Sequence, residues 1–203
     1  MPYALLKETT SYLLAGWTIQ ETPEELTSRL PEHLLETFLQ DVTLKPAYVL
    51  QKLAVRCLLL EMAAHWHIPY EGIQKGVWGE PLWSADPKLF LSYSHTQNFV
   101  AAILHTQKAV GIDIEAVSGR ALRVFSRFAA PSEKEFLENE LDATMLWCAK
   151  EAMYKWYRKR KLTFAKDILL SKKEGAFCGT VLGSHAVEVD SLLLNGYWVV
   201  WCM

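Results

Sequence analysis

The sequence predicts an α+β fold, because its helix-like and strand-like patterns are grouped along the chain. Helical patterns come first and short runs rich in β-branched, aromatic and aliphatic residues follow; one long helical segment and further strand-like runs complete the chain. The 203 residues are 51% hydrophobic and 22% charged, as in soluble globular proteins. This length suits one large domain or two packed halves of about 100 residues each.

Three helices are predicted in the first third of the chain. Thr22-Pro23-Glu24-Glu25 combines a capping hydroxyl, a proline and early acids, which is typical of a helix start, here for a helix ending near Leu30. A second short helix carries four apolar residues, Leu34, Leu35, Phe38 and Leu39. A third opens at Lys45-Pro46, and an apolar stripe at the helical period predicts its buried face: Leu50, Leu53, Ala54, Cys57 and Leu58. Lys52 and Arg56 fall off that stripe and, on periodicity alone, are equally explained as surface cations.

Strand-like runs dominate the rest of the chain. Residues 69–88 are rich in Gly and Pro and are predicted to form turns and loops. Three adjacent strands are expected after them, at Leu89–Ser94, Phe99–His105 and Val110–Glu115. Four more strand-like pieces are expected near the end, at Ile168–Ser171, Ala176–Val181, Ala186–Val189 and Tyr197–Cys202.

Two helices are predicted between these groups of strands. Ser132 and Glu135 have the spacing of a capping box, so a short helix is expected to begin at Ser132. A longer helix is expected from about Asp142 to Lys161, with Asp142 as its cap.

Composition indicates a cytoplasmic protein. The first residues lack the basic start and apolar run of a secretory signal, and no stretch is long enough to span a membrane. The four cysteines are scattered without C-x-x-C spacing, which favours reduced thiols over a zinc knuckle or disulfides. Residues 145–175 hold nine Lys or Arg and three Asp or Glu, within a chain of net charge −2. This basic region is either a docking surface for an acidic partner or a solvated face.

Two carboxylates stand two residues apart in Gly111-Ile112-Asp113-Ile114-Glu115. In a strand, Asp113 and Glu115 project from one face, where they repel each other and where Mg²⁺ would relieve the repulsion. The segment is equally explained as an edge strand with solvent-facing acids.

A third carboxylate lies in the long predicted helix. Trp147, Glu151 and Lys155 are spaced four apart, so they share one helix face. Such a Glu-to-Lys pair also occurs as ordinary surface decoration. Upstream, Ser94-His95 ends a predicted strand, where a histidine could bind a phosphate or satisfy a loop backbone.

The order and spacing of these segments resemble the surfactin-synthetase-type 4'-phosphopantetheinyl transferases. That family is marked by G-[IV]-D-x-E and, about forty residues later, [WF]-x-x-K-E-[AS]-x-x-K; this chain has GIDIE from Gly111 and WCAKEAMYK from Trp147. The family's Ser-His pair is matched by Ser94-His95. The motif resemblance covers roughly residues 79–162. It departs at Gly79-Glu80-Pro81, where many members have Gly-Lys-Pro, so a nucleotide-contacting cation is missing.

The resemblance implies a fold of two similar α+β halves related by a pseudo-twofold axis, here residues 1–107 and 108–203, with the active site in the cleft between them. It implies that Asp113, Glu115 and Glu151 hold Mg²⁺ against the pyrophosphate of coenzyme A. Asp113 is also expected to be one of the residues that bind coenzyme A. Glu151 and Lys155 would be catalytic, and Lys155 would also contact a phosphate. The remaining coenzyme A contacts would come from Lys52, Arg56, Ser94, His95 and Lys150.

The implied reaction transfers the 4'-phosphopantetheine group of coenzyme A to a serine of an apo acyl or peptidyl carrier protein, releasing 3',5'-ADP. The expected protein is a monomer that binds neither nucleic acid nor membrane. The basic run Arg158-Lys159-Arg160-Lys161 is the expected docking edge for an acidic carrier. Two alternatives remain, a catalytically silent coenzyme A-binding protein of the same fold and an unrelated Mg²⁺-dependent phosphodiesterase or nuclease. A reaction that requires an apo-carrier protein, and not only water, would distinguish a transferase from the phosphodiesterase or nuclease.

Overall fold

The computed structural model describes residues 3–39, 46–159, 161–173 and 176–203, and it divides into two compact units, Met1–Lys108 and Ala109–Met203. Each unit combines one antiparallel sheet with helices, so the predicted α+β class is confirmed. Each also has one long helix packed against its sheet, so the two units follow a similar plan. None of the helices within the described ranges is long and apolar enough to cross a membrane.

Within its described residues, the first unit has six strands and three helices. In chain order these are β1 (Tyr3–Glu8), β2 (Tyr12–Thr18), α1 (Pro23–Ser28), α2 (Glu32–Leu39), α3 (Pro46–Trp66), β3 (Ile73–Lys75), β4 (Pro81–Trp83), β5 (Phe90–His95) and β6 (Phe99–His105). The sheet order is β1-β2-β6-β5-β4-β3. Helix α3 packs on β2 and β6 through the predicted stripe, of which Leu53, Ala54, Cys57 and Leu58 are buried.

The described part of the second unit has five strands, three α-helices and one 3-10 helix. In chain order these are β7 (Gly111–Ala116), α4 (Gly119–Phe128), the 3-10 helix (Pro131–Phe136), α5 (Glu140–Tyr157), α6 (Phe164–Asp167), β8 (Ile168–Lys173), β9 (Ala176–Val181), β10 (His185–Leu194) and β11 (Tyr197–Cys202). The sheet order is β7-β11-β10-β9-β8, and α5 packs across β7 and β11. Four buried positions of α5 make up much of this core, Ala149, Cys148, Ala152 and Met153.

Several predicted helix starts are confirmed and two are wrong. Thr22 caps α1 in a reciprocal capping box with Glu25, and α3 begins at Pro46; Lys45, the other residue of that predicted start, lies outside the described residues. The predicted box at Ser132 is wrong, because Glu133 accepts the Ala130 backbone N–H instead. Helix α5 begins two residues before Asp142, because Asn139 Oδ1 accepts the N–H groups of Leu141 and Asp142 at 2.8 and 3.2 Å.

The end of α5 and the pairing of β7 also differ from expectation. The helix ends at Tyr157 rather than Lys161, because Arg158 adopts a left-handed conformation (φ 58°). Strand β7 lies beside β11, with Asp113 opposite Val200, and not beside β6 as expected. Strand patterns identify which residues are extended, but they do not specify which strands pair.

Four strands and two of the described helices, α4 and the four-residue α6, were not anticipated. Strands β1 and β2 form a hairpin ahead of the first helix, and β3 and β4 are three-residue strands inside the region expected to be loop. Helix α4 was missed although Ala121, Val124, Phe125 and Phe128 repeat at helical spacing. The four cysteines are free thiols, as expected.

Candidate active site

The second unit brings the two carboxylate motifs face to face. Asp113 and Glu115 project from β7 toward α5, and the stripe Trp147, Glu151 and Lys155 projects from α5 toward β7. Two side-chain contacts join the elements. Trp147 Nε1 donates to Glu115 Oε1 at 2.9 Å, and Lys155 Nζ donates to Asp113 Oδ1 at 2.6 Å. Glu151 lies one helical turn from each contact, so it sits between them.

Gly111 allows this close approach between strand and helix. A methyl group at Gly111 would collide with the carbonyl oxygen of Ala152 and lie 2.6 Å from the backbone nitrogen of Trp156. Both atoms belong to the backbone of α5, so they cannot move aside as a flexible side chain would. The glycine that opens the first motif therefore sets the distance at which the strand carboxylates meet the helix.

Burial and the neighbouring carboxylates raise the pKa of both glutamates, Glu115 and Glu151. Burial is the main cause and the Asp113 charge the next for both Glu115 and Glu151. The pKa of Glu151 rises to about 7, with the Lys155 ammonium opposing the rise. The pKa of Glu115 is raised less, since Trp147 donates to it and Arg120 and Lys155 are nearby. Mutual repulsion of this kind is what a bound cation would relieve.

The donor set suits a hard divalent cation, although the side chains are not gathered into a preformed cluster. Within the described ranges, no group of three or more His, Cys, Asp or Glu side chains is arranged to hold a metal ion. Instead the Lys155 ammonium sits against Asp113 and supplies a positive charge there. All three carboxylates offer oxygen ligands, which Mg²⁺ prefers, and Lys155 is 31% exposed, so its ammonium can also be reached from solvent.

Lys150 is placed differently from the other predicted site residues. Its side chain is fully buried on the far side of α5, where Nζ lies 2.7 Å from Glu133 Oε2 and donates to the carbonyl oxygens of Phe164 and Ile168 at 3.0 and 2.6 Å. Glu133 in turn accepts from the backbone N–H of Leu170 at 2.7 Å. The expectation that Lys150 contacts a nucleotide phosphate does not fit this placement, because its three donors are used within the core.

The candidate nucleotide residues of the first unit lie on α3 and β5, which contact each other. Lys52 and Arg56 are half-buried on α3, and Arg56 Nη1 donates to the Lys52 carbonyl oxygen at 3.2 Å. Ser94 is buried and His95 half-buried at the end of β5. The ring of Tyr48, one turn before Lys52 on α3, meets His95 edge-on at 6.4 Å between ring centres. The four predicted residues therefore fall on one helix and the strand end next to it.

Three residues around these sites were not identified from the sequence, and the contact of a fourth was not anticipated. Trp147 was placed on the correct helix face, but its hydrogen bond to Glu115 was not anticipated. Arg120, Glu133 and Tyr48 were not singled out at all. The spacing of apolar residues in α4 could have revealed Arg120 on a helix, whereas no local pattern links Glu133 to Lys150, 17 positions apart.

One comparison with known protein families bears on the second unit. No curated protein matches the chain. Residues 109–190 match the family model of the 4'-phosphopantetheinyl transferase superfamily, and this range contains β7 and α5 with both carboxylate motifs. The match therefore supports membership of the 4'-phosphopantetheinyl transferase superfamily, carried by the unit in which the two motifs face each other.

Proposed function

We propose that the protein transfers the 4'-phosphopantetheine group from coenzyme A to a serine hydroxyl of an acyl or peptidyl carrier protein, with release of 3',5'-ADP. One observation carries the proposal most directly. The Trp147–Glu115 and Lys155–Asp113 contacts join β7 to α5, and Glu151 lies on the same face of α5 between them. Phosphoryl-type transfer needs this combination of hard oxygen ligands and a cation, because the reaction is governed by positioning and charge stabilisation.

Asp113, Glu115 and Glu151 are the residues that would hold Mg²⁺. When bound, the ion would supply positive charge to the pyrophosphate of coenzyme A. Lys155 is the residue we assign to the phosphate of the departing 3',5'-ADP, since its exposed ammonium can turn from Asp113 toward an incoming phosphate. In the first unit Arg56, Lys52, Ser94 and His95 remain our candidates for contacts with the nucleotide end.

We assign Glu151 as the carboxylate that accepts the proton of the serine hydroxyl. The serine oxygen forms a bond to phosphorus, the bond from phosphorus to the 3',5'-ADP oxygen breaks, and the serine proton passes to Glu151 directly or through one water. A carboxylate whose pKa is about 7 accepts a proton near neutral pH more readily than one with the ordinary value of 4.5. Burial of the Glu151 carboxylate is the chief cause of its raised pKa.

Helix α4 provides a surface beside these carboxylates on which the carrier protein could dock. Arg120, Arg123 and Arg127 are exposed along it, and it contains no acidic residue. A cavity of about 210 Å³ between α4 and α5 is lined by Glu115, Arg120 and Trp147 among others. A second, of about 400 Å³, shares Trp147 and Val124 with the first. We place the acidic acceptor here, because charge and apolar surface adjoin Glu115.

The test is incubation of the protein with coenzyme A, Mg²⁺ and a panel of apo-carrier proteins, followed by mass spectrometry. A gain of one phosphopantetheine on a single serine is expected for wild type, and a loss of at least about 100-fold in rate for Asp113→Asn and Glu151→Gln. Glu188→Gln is the matched control, since Glu188 is an exposed acid on β10.

Two outcomes would contradict the proposal. Coenzyme A binding by calorimetry without transfer to any carrier would indicate a silent binding protein. Turnover by Asp113→Asn close to wild type at limiting Mg²⁺ would remove the metal assignment.

A further inference from the structure

In the second unit, the apolar face of the sheet extends beyond the end of α5, the helix that covers it. Side chains alternate along β8–β11, so every second residue faces α5. Val181, Val187, Val189 and Val200 are buried on that face. Four more residues continue the same rows toward the N-terminal end of α5. Phe177 and Trp198 are partly covered there, and Lys172 and Ser191 are exposed.

A groove of about 710 Å³ lies over this uncovered part of the sheet. The sheet residues form its floor, and its walls come from the first two turns of α5 and from the 3-10 helix. The wall and rim residues are Glu135, Phe136, Glu138, Leu141, Asp142, Met145 and Leu146. The volume falls within the range of small-molecule sites, about 300–1,000 Å³. None of the residues that line it belongs to the candidate active site.

The walls present aromatic rings and carboxylates together. Phe136 meets Phe177 edge-on at 5.9 Å between ring centres, and Trp198 donates its indole N–H to the Leu141 carbonyl oxygen, so its orientation is set. The carboxylate of Asp142 is occupied in capping α5. Glu135 and Glu138 are exposed at the rim. They give the groove two negative charges that, unlike Asp142, are not used to cap a helix.

Lys172 places a positive charge against an aromatic ring of the groove. Its ammonium lies 5.7 Å from the centre of the Phe177 ring, within the range of a cation–π contact. Because the Lys172 ammonium already occupies this ring face, a ligand cation is directed to the two carboxylates at the rim, Glu135 and Glu138.

We propose that this groove binds a small organic molecule that has an apolar body and one positive charge, an aromatic or aliphatic amine. The apolar body would lie on Phe177 and Trp198 against Met145, whose flexible thioether adapts to different shapes. The ammonium would meet Glu135 and Glu138. The site is separate from phosphopantetheine transfer and does not depend on it.

The experiment measures binding of dansylcadaverine, a fluorescent amine, to the full chain by fluorescence titration and calorimetry at pH 7.5. The matched probe is N-acetyl-dansylcadaverine, which has the same body without the charge. The amine is expected to bind more tightly than the acetylated probe by about two- to tenfold, as charge pairs and cation–π contacts at partly exposed sites contribute. In Glu135→Gln/Glu138→Gln that preference should fall toward one.

Ser191→Trp is the variant that blocks the groove. Ser191 is exposed on its floor, so an indole there fills the space without displacing a buried side chain. Binding of both probes should be lost, while the thermal midpoint and transferase activity stay as in wild type.

The proposal is overturned if neither probe binds wild type, if the two probes bind equally, or if Ser191→Trp binds the amine as wild type does. It is also overturned if saturating coenzyme A displaces the amine competitively, because the probe would then occupy the nucleotide site.

Discussion

Glu151 makes the protein sensitive to pH near neutrality. Burial, followed by the Asp113 charge, raises its pKa from the ordinary 4.5 to about 7. A carboxyl group that binds its proton more tightly in the folded state stabilises the fold less as pH rises from about 4.5 to 7.

Glu151→Gln should therefore remove part of the pH dependence of stability. Without Mg²⁺, the unfolding free energy of wild type should fall relative to the variant by about 1–3 kcal/mol between pH 5 and pH 8. Mg²⁺ should raise the wild-type thermal midpoint more at pH 8 than at pH 5.5, because the ion competes with the proton. Urea titrations at both pH values measure the first effect and thermal scans the second. If the difference in unfolding free energy between wild type and Glu151→Gln did not change with pH, the assignment would be contradicted.

Lys150 is buried within the core, although its neighbour in the sequence, Glu151, belongs to the candidate active site. Lys150→Met should destabilise the protein by about 3–5 kcal/mol, because Glu133 would keep a buried charge without its ammonium partner. Lys155→Met is the comparison, because Lys155 is 31% exposed whereas Lys150 is fully buried; it should cost less stability than Lys150→Met while lowering the rate of transfer. Urea denaturation compares the two. Equal losses of stability would show that burial does not distinguish the two lysines.

At the scale of elements, the contact of β7 with α5 decides whether the two motifs can meet. The sequence predicted both elements and the faces that carry Asp113, Glu115 and Glu151. It did not predict the distance between them, which depends on the absence of a side chain at Gly111.

Gly111→Ala should push α5 away from β7. The added methyl group overlaps backbone atoms of α5, so we expect a loss of about 1–3 kcal/mol in stability and weaker Mg²⁺ binding. Gly119→Ala is the control, because the nearest atom there is the flexible Arg123 Nη1 at 3.3 Å. Calorimetry of Mg²⁺ binding and urea denaturation would check the pair. Unchanged Mg²⁺ affinity in Gly111→Ala would mean that the spacing does not matter to the site.

At the scale of the whole molecule, two basic surfaces compete as the docking site for an acidic carrier. One is the run Arg158-Lys159-Arg160-Lys161 expected from the sequence, of which Arg160 lies outside the described residues. The other is the row of arginines on α4, which adjoins the cavities beside Glu115.

Neutralising α4 should weaken the salt dependence of the reaction with carrier protein. For wild type, kcat/KM for the carrier should fall as salt rises from about 50 to 300 mM, where screening lengths shrink from roughly 14 to 6 Å. Arg123→Gln/Arg127→Gln should flatten that slope, whereas Arg158→Gln/Lys159→Gln should keep it. Coenzyme A affinity should match wild type in both. If only the second variant flattened the slope, docking would belong to the end of α5.

The sequence by itself determined the local structure and the chemistry of the motifs. Period and capping residues predicted α1, α3 and most of α5, and the spacing of GIDIE and WCAKEAMYK placed three acids on two faces. These features depend on residues within one or two turns of each other, so a linear pattern contains them.

Only the tertiary structure decided which elements meet and what each polar side chain does there. It paired β7 with β11, turned Trp147 and Lys155 toward the carboxylates and buried Lys150 with Glu133. The physical reason is that strand pairing and buried ion pairs join residues far apart in the chain, and their energies depend on packing and desolvation, which no local pattern records.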